Sequence, residues 1–114
     1  CLYDLTQLFE IGRGNENFVN KMLGLFSEQG PLTAAEISAA YREGDFVKIK
    51  SLAHRLKPSI DNLGISVLKN EIREIEKLAQ NNSDTERLKQ LIDYLVETVD
   101  VVTGQFKNRE SVEH

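Results

Sequence analysis

Between Leu88 and Phe106 the apolar residues fall at Leu88, Leu91, Ile92, Leu95, Val99, Val102 and Phe106. Spacings of three and four put them on one side of a helix with 3.6 residues per turn. The strict alternation that marks a half-buried strand does not occur over any useful length. The same helical period recurs upstream, at Leu5, Leu8 and Phe9, at Val19, Met22, Leu23 and Phe26, at Ala34, Ile37, Ala40 and Tyr41, and at Leu68, Ile72, Ile75 and Ala79. A chain made only of amphipathic helices can bury its apolar stripes only against other helices.

Punctuation divides the chain into five helices. The first runs from about Asp4 to Ile11 and is broken by Gly12-Arg13-Gly14. Asn15 caps a second helix, which Gly30-Pro31 is expected to kink or break before it resumes and ends near Glu43-Gly44. Asp45 caps a third helix, and Gly64 ends it by taking the left-handed conformation. A fourth runs from about Ile65 to Gln80, with Asn81-Asn82 as its turn. Ser83-Asp84-Thr85-Glu86 has the spacing of a capping box and opens the last helix. Short connections between long helices imply antiparallel neighbours. The expected fold is all-α: an antiparallel up-down four-helix bundle with a short extra N-terminal helix. The 114 residues fit one domain, assigned to 1–108, with a polar, frayed tail over 109–114.

Composition excludes several functions. No apolar run is long enough to span a membrane. The net charge of -4 argues against nucleic-acid binding. A single cysteine allows no internal disulfide, which favours a reducing, cytoplasmic setting. Because the chain opens on Cys1 rather than methionine, we expect a piece of a longer protein. His114 is the last residue and is assigned no function.

The third helix carries the chemistry. Its apolar residues are Ile49, Leu52, Ala53, Leu56, Ile60 and Leu63, and His54 points about 140° from the centre of that stripe, toward solvent. Lys50 and Lys57 share its outer face. Between Phe46 and Ile60 there are four basic residues (Lys48, Lys50, Arg55, Lys57) and no acid. An exposed imidazole in a local positive field suits a group that receives something anionic. Other chemistries lack parts. There is no G-x-x-x-x-G-K loop for ATP. One usable histidine without cysteines builds no zinc site. Ser51 lies one turn from His54, but only Asp61, two turns on, stands as a carboxylate that could orient the ring. Glu71, Glu74 and Glu76 are read as solvated surface charges.

His54-Arg55-Leu56-Lys57, with Gly64 ten residues after the histidine, resembles the signature of histidine-containing phosphotransfer (HPt) domains. The resemblance extends to Asp4-Leu5 with Leu8 in a short first helix, to Phe18–Phe26, to Tyr41-Arg42-Glu43-Gly44-Asp45-Phe46 before the active helix, and to Ile75-Glu76 in the fourth. It implies a helical bundle that accepts a phosphoryl group on His54 from the phospho-aspartate of a receiver domain and passes it to another receiver. It implies that Lys57 stabilises the charge of that group. It implies a phosphoryl carrier rather than a stand-alone enzyme, with response-regulator receiver domains as partners and Mg²⁺ supplied by them. The domain itself is expected to need no cofactor, to be a monomer and to touch no membrane directly. A hybrid sensor histidine kinase is the expected parent, and would tether this cytoplasmic domain to a membrane. Many family members have glycine where this chain has Pro58, and a helix bend at His54 is expected there. Two other readings compete. One is a non-catalytic bundle that binds receivers without phosphorylation. The other is a kinase dimerisation and phosphoacceptor helix pair, against which Arg55 speaks, since an acidic residue usually follows that histidine.

Overall fold

The computed structural model describes residues 2–112, with side chains through Asn108. Cys1, His114 and the side chains of the expected 109–114 tail lie outside the described residues. The described residues form five helices: α1 (Thr6–Ile11), α2 (Glu16–Glu43), α3 (Phe46–Asn62), α4 (Ser66–Asn81) and α5 (Thr85–Val112). Each of α2 to α5 packs against its neighbours in sequence, and α5 closes the ring onto α2. The fold is therefore the expected all-α bundle, with α1 as the short extra helix.

The lengths of the helices explain what α1 does. Helices α2 and α5 have 28 residues each, whereas α3 has 17 and α4 has 16. At 1.5 Å per residue the long pair extends about 40 Å and the short pair about 25 Å. The N-terminal half of α2 and the C-terminal half of α5 would stand uncovered. Residues 2–11 fill that space. The Asp4 amide donates to the Leu63 carbonyl at 3.1 Å and the Leu2 amide to Gln105 Oε1 at 3.3 Å. The Tyr3 ring meets Phe106 edge-on at 4.7 Å, and Leu5 and Leu8 are buried in the core.

The residues expected to face inward largely do. Val19, Leu23, Phe26, Ala34, Ile37 and Ala40 on α2 are buried, as are Leu68, Ile72, Ile75 and Ala79 on α4 and the whole Leu88-to-Phe106 seam on α5. Phe9, Met22 and Tyr41 are only partly buried against that core.

Three local expectations need correction. Pro31 does not interrupt α2, which is one helix from Glu16 to Glu43. Proline deletes one backbone donor, but packing on α3 and α5 supports both halves of the helix, and tertiary contact outweighs one lost bond. Pro58 also lies inside one helix, α3, where the expectation was a bend and not a break. The start of α5 is capped by Asp84, whose carboxylate accepts from the Arg87 amide at 3.1 Å, and not by Ser83. Asp and Ser are equally good caps, so adjacent candidates compete within one residue. The first helix begins at Thr6, because Asp4 spends its carboxylate on the Thr6 amide and hydroxyl.

The caps at Asn15 and Asp45 are as expected, accepting from the Phe18 and Lys48 amides. The turn after α3 is a Schellman motif: the Ile65 amide donates to the Ile60 carbonyl and the Gly64 amide to the Asp61 carbonyl. Gly64 takes φ of +61°, and a Cβ there would collide with the Asp4 backbone. Both left-handed strain and the collision oppose any side chain. We expect Gly64→Ala to destabilise the fold by at least about 2 kcal/mol in urea unfolding. A loss below about 0.5 kcal/mol would mean that the N-terminal segment does not seat on this turn.

Candidate functional site

Helix α3 presents two flanks around His54. The apolar stripe of Ile49, Leu52, Ala53, Leu56 and Ile60 is buried as expected and fixes the rotation of the helix. His54 then lies on the outer face, with its side chain 70% exposed. Lys57 falls on the flank toward α4, and Arg55 on the flank toward α2.

The imidazole is held by a carboxylate from α4. His54 Nδ1 lies 2.8 Å from Glu76 Oε2. The other oxygen of the same carboxylate, Oε1, accepts from Lys57 Nζ at 2.8 Å. Glu76 is 16% exposed and Lys57 25%. An ionised carboxylate only accepts hydrogen bonds, so the proton of the neutral ring is on Nδ1. The Nε2 lone pair is left free on the exposed side of the ring. The Lys57 ammonium holds the Glu76 carboxyl below the usual carboxylate range; partial burial opposes this, and the bond from His54 adds to it.

This corrects two expectations. Glu76 is not a solvated surface charge, and Asp61 does not orient the ring. Asp61 is taken by Arg73, whose Nη2 donates to Oδ2 at 2.6 Å. Glu74 pairs with Arg87 across to α5 at 3.0 Å. The helical wheel of α4 carries the signal that sequence reasoning missed. Glu76 lies about 70° from the centre of the Leu68-Ile72-Ile75-Ala79 stripe, on its edge rather than opposite it. A carboxylate at the edge of a stripe reaches the neighbouring helix, whereas Glu74, on the outer face, reaches α5 only through a long arginine. Ser51 has no hydrogen bond to His54 among the described residues. Lys50 is exposed and forms no described ion pair.

On the flank toward α2 lies a groove of about 350 Å³. Leu25, Gln29 and Thr33 of α2 line one wall, and Arg55, Leu56 and Ser59 of α3 line the other. The α3 wall begins at the residue next to His54. Leu25 is 46% exposed, so the groove offers apolar surface to a partner.

Comparison with known families gives one match. The family model described as Hpt domain matches residues 21–102, more than half of the chain. The chain belongs to the Hpt domain family. No curated protein and no solved structure matches it. Hpt domains carry out histidine phosphotransfer in phosphorelays and interact there with receiver domains. The match spans α3 and α4 entirely, and so both halves of the His54–Glu76–Lys57 cluster. Among the described residues, no helix is long and apolar enough to cross a membrane.

The depressed Glu76 carboxyl has a consequence for stability. A carboxyl whose folded value lies below its unfolded value stabilises the fold fully above the ordinary glutamate value of about 4.3. That contribution is lost as the pH falls through the depressed value. We therefore expect the stability gap between the native domain and Glu76→Gln to narrow as the pH is lowered from about 6 to about 3, measured by urea unfolding. Parallel curves over that range would show that the carboxylate is not held by Lys57 and His54.

Proposed function

We propose that this Hpt domain accepts a phosphoryl group on Nε2 of His54 from the phospho-aspartate of a receiver domain and passes it to a second receiver. The observation that carries this is the bond between His54 Nδ1 and Glu76. It fixes the tautomer, frees Nε2 and aims it at solvent, where a partner's phosphoryl group can reach it.

The chemistry asks little of the domain. Phosphoryl transfer passes through a loose transition state with the entering and leaving atoms in line, so positioning and charge stabilisation dominate. A neutral imidazole with its proton on Nδ1 offers the Nε2 lone pair and can attack. The Nε2 lone pair forms the N–P bond as the aspartyl O–P bond breaks, and the electron pair leaves on the aspartate carboxylate. Lys57 sits within reach of the same carboxylate as the ring, and its ammonium offsets the charge of the transferring group. Lys50 adds to the positive field from the exposed face. A rigid helix holds the ring for in-line approach. In this reading Mg²⁺ comes from the receiver.

The receiver docks over the α2–α3 groove in this reading. Glu76 ties the ring on its α4 side, and the apolar surface next to His54 on the other side is that groove. The receiver's acidic pocket would meet Lys50, Arg55 and Lys57. The domain is then a monomeric, cytoplasmic carrier within a hybrid sensor kinase. The binding-only alternative leans on Pro58, which lies inside α3 directly after Lys57.

The test mixes the purified domain with radiolabelled phospho-receivers and Mg²⁺. Acid-labile label should appear on the native domain and be absent from His54→Gln. Lys57→Ala should fold normally but accept label about tenfold more slowly or worse. Equal labelling of His54→Gln would move the phosphoacceptor elsewhere, and unchanged rates in Lys57→Ala would remove Lys57 from the site.

A further inference from the structure

We propose that Glu76 keeps the Nδ1 proton on His54 throughout the phosphorylated state, so that the phosphorylated ring persists as an imidazolium and releases its phosphoryl group without first taking up a proton. This inference rests on the proposed function and concerns the phosphorylated form of the same site.

The proton on Nδ1 decides how the phosphorylated ring behaves. When neutral His54 attacks through Nε2, the ring gains a positive charge and Nδ1 still carries its hydrogen. A phosphorylated imidazole in open water releases that hydrogen around neutral pH, as imidazoles do. The P–N bond is then attached to a poor leaving group, because cleavage would expel an imidazolide anion. Transfer would wait for a proton to return. In this protein Nδ1 has a carboxylate partner. It faces Glu76 Oε2 at 2.8 Å, and that carboxylate is 16% exposed. An anion at this distance favours the charged form of the ring. On transfer to the second receiver the N–P bond breaks, its electron pair returns to Nε2, and an O–P bond forms on the acceptor aspartate. The ring is left neutral with Nδ1–H already in place, ready for the next cycle.

The surrounding charges allow this. The charged groups near the ring are Lys50, Arg55 and Lys57 on α3 and Glu76 on α4, with Arg73 on α4 feeling Glu76 through space. Lys57 would oppose a cationic ring, but its ammonium is offset by Oε1 of the same carboxylate. Arg73 is occupied by Asp61 and does not compete for Glu76. Among the described residues, no charged side chain of α2 or α5 bonds to any of these groups. A glutamine at position 76 could still accept from Nδ1–H and preserve the tautomer, but it carries no charge to hold the extra proton. Glu76 is therefore a positioning residue with a charge function that its neutral isostere separates.

The experiment labels the domain on His54 with phosphoramidate, which needs no receiver, and follows transfer to one receiver with Mg²⁺ across the neutral range. The quantity read is the ratio of native to Glu76→Gln rates at each pH, in which the receiver's own pH dependence cancels. We expect a ratio near one at about pH 6 and about tenfold or more at about pH 8. The ³¹P resonance of the phosphorylated native domain should also titrate at higher pH when folded than when unfolded in urea, a comparison that needs no variant. A rate ratio independent of pH, which a purely geometric role would give, overturns the inference. So does a ³¹P titration that is the same folded and unfolded. Failure of His54 to take label from phosphoramidate and from phospho-receivers alike overturns the proposed function, and this inference with it.

Discussion

One carboxylate organises the site. Glu76 divides its two oxygens between the His54 ring and the Lys57 ammonium, each at 2.8 Å. The three residues come from two helices, so the cluster exists only while α3 and α4 keep their register. Exposure is graded across it: the ring stands in solvent, whereas the carboxylate that steers it is largely covered. A covered anion in weak competition with water can select a tautomer, which an exposed one does poorly. The ring stays accessible and still has a defined orientation.

The bundle supplies that register by simple means. Helices α3 and α4 are joined by Leu63, Gly64 and Ile65, with the Schellman bonds fixing the reversal. Gly64 takes the left-handed turn and leaves room for the Asp4 backbone to cross. The N-terminal segment thus braces the same turn that sets the α3–α4 alignment. The Arg73–Asp61 pair ties the two helices once more near that turn. Beyond it, Ile60, Leu68, Ile72 and Ile75 fill the interface with no exposed surface to speak of. Dense packing of this kind resists sliding, because a shift of one residue would leave voids.

Much of this was legible in the amino-acid order, and the reasons differ from place to place. The stripes on α3, α4 and α5 define which faces are buried because burial is a property of one helix and its period. The caps at Asn15 and Asp45 and the turn at Gly64 are local too. His54 and Lys57 stood out through an exposed histidine among cations and through the family motif. Glu76 did not, because its role is a contact across helices, and its place on the edge of a stripe gains meaning only beside His54. Pro31 misled for a related reason: the local rule predicts a break, and the support for a continuous α2 comes from α3 and α5. Ser83 and Asp84 are both sound caps, and nothing local to the sequence decides between them.

Everything above turns on Glu76 fixing the ring of His54 with its proton on Nδ1 and its lone pair on Nε2. Long-range ¹H–¹⁵N correlation of the histidine-labelled domain above neutral pH reads this directly. We expect a protonated-type Nδ1 resonance and an unprotonated-type Nε2 for His54, opposite to the tautomer that predominates in free histidine. An Nε2–H signature for His54 would contradict it, since the nitrogen facing solvent would then have no lone pair to offer.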